Sequence, residues 1–133
     1  MADLQSALVA RLIADAGVAA LVGDRLYWSK VPQGTAMPYV RMQTVSDPRP
    51  QNLQGYDGAR TVRVQVDVFA RSHGNARAAS EAIVAAVALP ATFAGVRFGR
   101  CAAQGPRDLG EDDTPEGFIH RLSTDLFAEF AIA

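Results

Sequence analysis

Valine alternates with mostly polar residues between Arg60 and Arg71, where Val62, Val64, Val66 and Val68 are interleaved with Thr61, Arg63, Gln65, Asp67 and Phe69. A period of two sends successive side chains to opposite faces, so this stretch predicts a strand with one apolar and one mostly polar face. At about 3.3 Å per residue it would span roughly 40 Å, well beyond a common strand of five or six residues. The pattern returns from Phe118 to Ile132, where Phe118, Leu122, Leu126, Phe130 and Ile132 alternate with Arg121, Ser123, Asp125 and Glu129. Shorter strands are predicted from Leu26 to Ser29, from Tyr39 to Ser46 directly after Pro38, and from Val96 to Ala103.

Helical spacing occupies three other stretches. Asp3 to Ala16 carries Leu4, Leu8 and Leu12 on one stripe beside Val9 and Ile13, with Asp3 as N-cap and Gly17 as C-cap. A short turn from Val18 to Val22 ends at Gly23. A longer helix runs from about Gly74 to Leu89 after Ser72 and stops at Pro90; Ala76, Ala79, Ile83, Ala86 and Val87 form its nearly all-small face. Small side chains let this helix lie close across the valine face of the sheet.

The order helix, strand, strand, strand, helix, strand, strand, with tight or proline-rich connections, predicts the α+β class: a largely antiparallel β-sheet with α-helices packed on one face. With no repeat or linker, residues 1–133 read as a single domain. The other sheet face would be bare, projecting Arg63, Gln65, Asp67, Arg121, Ser123 and Asp125 among apolar spots at Phe69, Phe127 and Ile119. Antiparallel sheets tolerate a solvated face, but the length of both strands argues for an assembly surface. On that reading Asp67→Arg leaves the subunit folded and blocks association.

Two loops stand out. Asp47 to Gly58 is rich in proline, glycine and asparagine; a connection this long is functional or disordered, and Arg49, Gln51, Leu53 and Tyr56 are its candidate partner contacts. Gly105 to Gly117 reads as a polar loop holding an acidic group of Asp108, Glu111, Asp112 and Asp113, with Glu116 beyond. Its spacing does not match a calcium-binding EF-hand loop, so a solvated loop, or one paired with arginines of a neighbouring chain, is the expectation.

Composition narrows the classes. Hydrophobic residues make up 49% and charged residues 20% of the 133 residues, as in ordinary globular proteins. The net charge of −1 gives no general attraction to nucleic acid. Cys101 stands alone, which excludes an internal disulfide and Cys-pair metal motifs and fits a reducing cytoplasm. The start Met-Ala-Asp-Leu-Gln lacks a signal-peptide pattern, and no apolar run is long enough to cross a membrane, so no membrane association is expected. His73 and His120 are the only bases poised near neutral pH; they read as a helix-start contact and a buried imidazole rather than as catalytic groups. No nucleophile elbow, phosphate-binding glycine loop or zinc-protease helix occurs, and no cofactor is expected.

Several pieces, in order and nearly end to end, resemble the small phage tail-completion and gene-transfer-agent proteins that act as tail terminators. They are Leu21-Val-Gly-Asp-Arg-Leu-Tyr27, Pro32-Gln-Gly34 with Pro38-Tyr-Val40, Val64-Gln-Val-Asp-Val-Phe69, the Ala-rich helix, Asp108 with Glu111-Asp-Asp113, and His120-Arg-Leu-Ser123. The segment Asp47 to Gln51 and the tail Leu126 to Ala133 depart from the pattern. The resemblance implies a structural virion protein without enzyme activity. It would form a homo-oligomeric, commonly hexameric ring at the head-proximal end of a tail tube. Its partners would be the tail-tube protein and the head connector or adaptor, with DNA passing through the channel without sequence-specific binding. Such a protein is assembled in the bacterial host cytoplasm and resides in the virion tail or neck. Two alternatives stay open: another neck component such as a head-closure adaptor, and a small cytosolic binding or enzyme domain with a pocket under the Ala-rich helix.

Overall fold

The computed structural model describes residues 3–49, 51–52, 55–56, 59–110 and 113–132. In chain order the elements are α1 (Leu4–Ala14), α2 (Ala16–Val22), β1 (Leu26–Trp28), β2 (Tyr39–Ser46), β3 (Gln51–Asn52), β4 (Gly55–Tyr56), β5 (Ala59–Ala70), α3 (His73–Val87), β6 (Ala91–Phe93), β7 (Val96–Asp108), β8 (Asp113–Thr114), β9 (Gly117–Phe118) and β10 (His120–Ile132).

Six strands form one sheet in the order β1-β2-β5-β10-β7-β6. β1 runs parallel to β2, and every other pairing in that sheet is antiparallel. The two valine- and leucine-alternating strands are its centre: β5 and β10 pair from Ala70 opposite His120 to Ala59 opposite Ala131. Val62, Val64, Val66 and Val68 are buried, as are Leu122 and Leu126 beside them, and all join one core with α1, α2 and α3. Ala76, Ala79, Ser80, Ile83 and Val87 are the buried face of α3. The α+β architecture with helices on one face is therefore as the alternation predicts. Each buried valine or leucine contributes about 1.5–3 kcal/mol relative to an exposed one.

The helix starts follow their caps. Asp3 Oδ1 accepts from Ser6 N at 2.7 Å, and Ser72 Oγ accepts from Asn75 N at 3.1 Å. The end of the first helix differs from expectation. Asp15 leaves the helical conformation and its side chain accepts from Val18 N at 3.0 Å, so it starts α2, and Gly17 lies inside that helix rather than capping α1.

Four further differences concern strands. β6 is absent from the sequence reading: only three residues long, it pairs with Val96–Phe98. The presumed loop from Gly105 to Gly117 is largely strand, because β7 continues to Asp108 and β8 pairs with β9. β3 and β4 likewise form a two-stranded ladder within the presumed loop Asp47 to Gly58. Phe118 and Ile132, expected to point inward, are exposed at the ends of the closing segment.

Candidate assembly face

The sheet face opposite the helices is built in transverse rows fixed by register. Tyr39, Phe69 and Arg121 form one row; Arg41, Asp67, Ser123 and Arg107 form the next; Gln43, Gln65, Asp125 and Gln104 the third; and Arg63, Phe127 and Ala102 the fourth. All six predicted face residues, Arg63, Gln65, Asp67, Arg121, Ser123 and Asp125, thus lie together on one face. They are not a uniformly solvated set. Asp67 and Ser123 are 0% exposed and Asp125 1%, whereas the side chains of Arg41, Arg63, Arg107 and Arg121 keep 28%, 39%, 50% and 23% exposure.

Asp67 Oδ2 accepts from Arg121 Nη2 at 3.0 Å and Arg41 Nη2 at 3.2 Å, and Gln65 Nε2 donates to both its oxygens. Asp125 Oδ2 accepts from Arg63 Nη2 at 2.8 Å and Arg107 Nη1 at 3.4 Å, and Arg107 Nη2 reaches Ser123 Oγ at 3.3 Å. Aromatic rings fill the spaces between. Phe69 stacks on Tyr39 with centroids 5.0 Å apart and lies under both Arg41 and Arg121, while Arg63 lies over Phe127. Arginine stems therefore roof the carboxylates and hold water off them.

Burial alone would raise the Asp67 carboxyl, but hydrogen bonds from Ser123 and Gln65, with the Arg121 guanidinium, outweigh it and keep the group below its ordinary range. Two carboxylates thus lie beneath four guanidiniums, and in formal charge these rows carry an excess of two positive charges. Nε of Arg41, Arg63 and Arg121 is buried with no hydrogen-bond partner. Formal charges balance within the set Arg63, Asp67, Arg121 and Asp125, but the acids lie underneath and Arg41 and Arg107 add to the cations on top.

A family model described as tail completion protein gp17 matches residues 6–124 of this sequence. The chain belongs to the tail completion protein gp17 family. A solved structure titled "Virion of native gene transfer agent (GTA) particle" contains a chain of the same fold, with a TM-score of 0.69 and 22% identity, covering 96% of this chain and 94% of that one. A search of curated proteins finds no match. The family match makes the protein described here a tail completion protein, and the solved structure shows that its fold occurs in a virion particle.

The family match includes Arg41, Asp67, Arg107, Arg121 and Ser123 and stops one residue short of Asp125. The remaining candidate residues of this tail completion protein lie elsewhere. Arg49 is mostly exposed, 3.6 Å from Asp47, which itself holds Arg60 at 2.9 Å. Gln51 and Tyr56 are cross-strand partners in the β3–β4 ladder, and Leu53 falls outside the described residues. Asp108 ends β7, 3.9 Å from His73 Nε2, and accepts from Gly110 N. Asp113 begins β8, and Glu111 and Asp112 fall outside the described residues. His73 and His120 meet edge to face at 5.9 Å, with His120 also edge to face against Phe118.

Sequence reasoning missed Arg11, which is 5% exposed, sits over Phe93 and Phe98, and donates to the Leu89 carbonyl past the end of α3. An apolar helix stripe gives no sign that a cation shares it. A cleft of about 300 Å³ between α1, the end of α3 and β6 is lined by Arg11, Asp15, Leu89 and Phe93.

Proposed function

We propose that this tail-completion chain is a tail terminator. Copies of it form a ring, six in number as in similar rings, that caps the head-proximal end of the tail tube and joins it to the head connector, leaving a channel for DNA. The observation that carries the reading is the family match over residues 6–124. The arginine-roofed face supports it physically. Guanidiniums held over buried carboxylates are fixed in place before any partner arrives, so little side-chain freedom is lost on contact. We assign this face to the wall that meets partner proteins or passing DNA. Its contacts are electrostatic and carry no base-reading geometry, in keeping with passage of DNA of any sequence.

Negative-stain microscopy of the purified protein, alone and with tail-tube subunits, tests this. Rings that seat on one end of the tubes are the expected result. A monomer that neither self-associates nor decorates tube ends overturns the reading.

A further inference from the structure

The sheet has a bare backbone edge on each side, and the two lie at the same height. β1 covers β2 only at Val40–Met42, and β6 covers β7 only at Val96–Phe98. Among the described residues, no strand pairs with the outer side of Gln43–Ser46 or of Gly99–Asp108. Register places Gln43, Gln65, Asp125 and Gln104 in one transverse row, and Thr44, Val64, Leu126 and Ala103 in the next. The bare stretches are therefore the two ends of the same rows.

Strand direction also fits. β2, β5, β10 and β7 alternate in direction. Because the run is even, a second copy related by rotation about an axis along the strands brings its β2 antiparallel to the first copy's β7. The short covering strands do not compete for the join. β1 occupies the rows from Met42 toward Val40, and β6 the row of Phe98 and Phe130 at the other end. Register between β7 and β10 breaks between Ser123 and Asp125, where Gly105 and Pro106 lie opposite Thr124, in the row of Met42 where β1 takes over.

The side chains invite pairing. Thr44, Val45, Ala102, Ala103 and Gln104 are all exposed. Monomeric proteins blunt free edges with charge, proline or a cover, and these residues supply none of the three. The distal half of β7 is also exposed on both faces, beyond the reach of the helices.

We propose that Gln43–Ser46 of one copy adds antiparallel to the Ala102–Gln104 region of a second copy, extending its sheet. The contact is head to tail, each copy offering one edge and receiving the other, and it closes a ring when the rotation closes. It rests on the ring reading above and specifies how neighbours join.

The experiment is oxidative cross-linking of the assembled protein. Thr44, Ala103 and Cys101 lie on the same face of the sheet, and a one-residue slip would turn every side chain away, so any same-face register brings Thr44 near one of the other two. Thr44→Cys with native Cys101, and Thr44→Cys/Ala103→Cys/Cys101→Ala, are oxidised and sized by denaturing electrophoresis. A covalent ladder up to the oligomer size from at least one pair, absent from each single-cysteine protein, is expected. Alongside, Ala102→Pro and Ala103→Pro are compared, since neighbouring N–H groups point to opposite sides of a strand. The one that keeps the wild-type melting temperature carries the outward N–H, and it is expected to stay monomeric. Wild-type rings from that variant, with no ladder from either cysteine pair, overturn the edge proposal and leave the ring reading standing. No oligomer from the wild-type protein, alone or with tail tubes, overturns both.

Discussion

Asp67 serves two arginines from a position that water does not reach, and this changes what a substitution there does. The expected tolerance of Asp67→Arg is withdrawn, because a third guanidinium would be forced beside Arg41 and Arg121 in a closed space. Asp67→Asn is the more informative variant. Breaking a buried pair costs about 3–5 kcal/mol, and since both arginines keep some solvent, about 2–3 kcal/mol is expected from denaturant unfolding at neutral pH. The pH dependence has a definite sign. A carboxyl held below its ordinary value in the folded state stabilises above the unfolded value of about 3.9, and that stabilisation is lost as pH falls through the folded value. The native protein should lose stability on the acid side, and Asp67→Asn should show a shallower acid limb. An unchanged limb would remove Asp67 from the linkage. Cys101 behaves oppositely: burial, only partly offset by Arg11, pushes its thiol up to about 11. Alkylation at pH 7 should be slow and should rise about tenfold per pH unit, since the thiolate is the nucleophile. Cys101→Ala should assemble normally; folded Cys101→Ala protein that yields no particles would give this thiol a role that its surroundings do not suggest.

β7 shows at the level of elements why part of the fold was readable and part was not. β5, β10 and β2 were legible because one face of each is buried, which imposes a period of two on the residues. The distal half of β7 is exposed on both faces, so nothing imposes that period, and Gly105-Pro106 reads as a turn. β6 is too short to carry any period. The break between α1 and α2 was expected about two residues late, at Gly17, because Asp15 caps the second helix from within an apolar run. For the candidate face, alternation placed Arg63, Gln65, Asp67, Arg121, Ser123 and Asp125 together, but Arg41 and Arg107 join them only through register with Asp67 and Ser123 on other strands. Burial of the acids depends on arginine stems arriving from those strands, which no single stretch of sequence records. Gly105 itself is required by geometry. Its φ is +122°, and a Cβ there would lie 2.9 Å from the Ser123 carbonyl oxygen. Gly105→Ala should therefore destabilise by about 2 kcal/mol or more, measured as a lower denaturation midpoint. A neutral result would mean that the register shift opposite Thr124 relaxes freely.

For the whole molecule, the face can be tested apart from the core because Arg107 is half exposed and shares Asp125 with the shorter-range Arg63. Arg107→Gln removes the outer charge without setting a second carboxylate beside Asp125, which keeps Arg63, and should change stability by about 1 kcal/mol. Tail completion should fail in a complementation assay while the subunit stays folded. Full particle yield would return this face to solvent. The layering of charge has a further outcome. The chain carries −1 in total, yet the arginine-roofed rows carry an excess of two positive charges, so the rest of the surface must be net negative. Such a separation is a permanent dipole moment, and it exerts a torque on a diffusing subunit in the field of any charged partner. At low ionic strength subunits should arrive already turned the right way, whereas at 0.15 M salt, with a screening length of about 8 Å, orientation begins only near contact. Salt should therefore slow the encounter far more than it loosens the finished assembly.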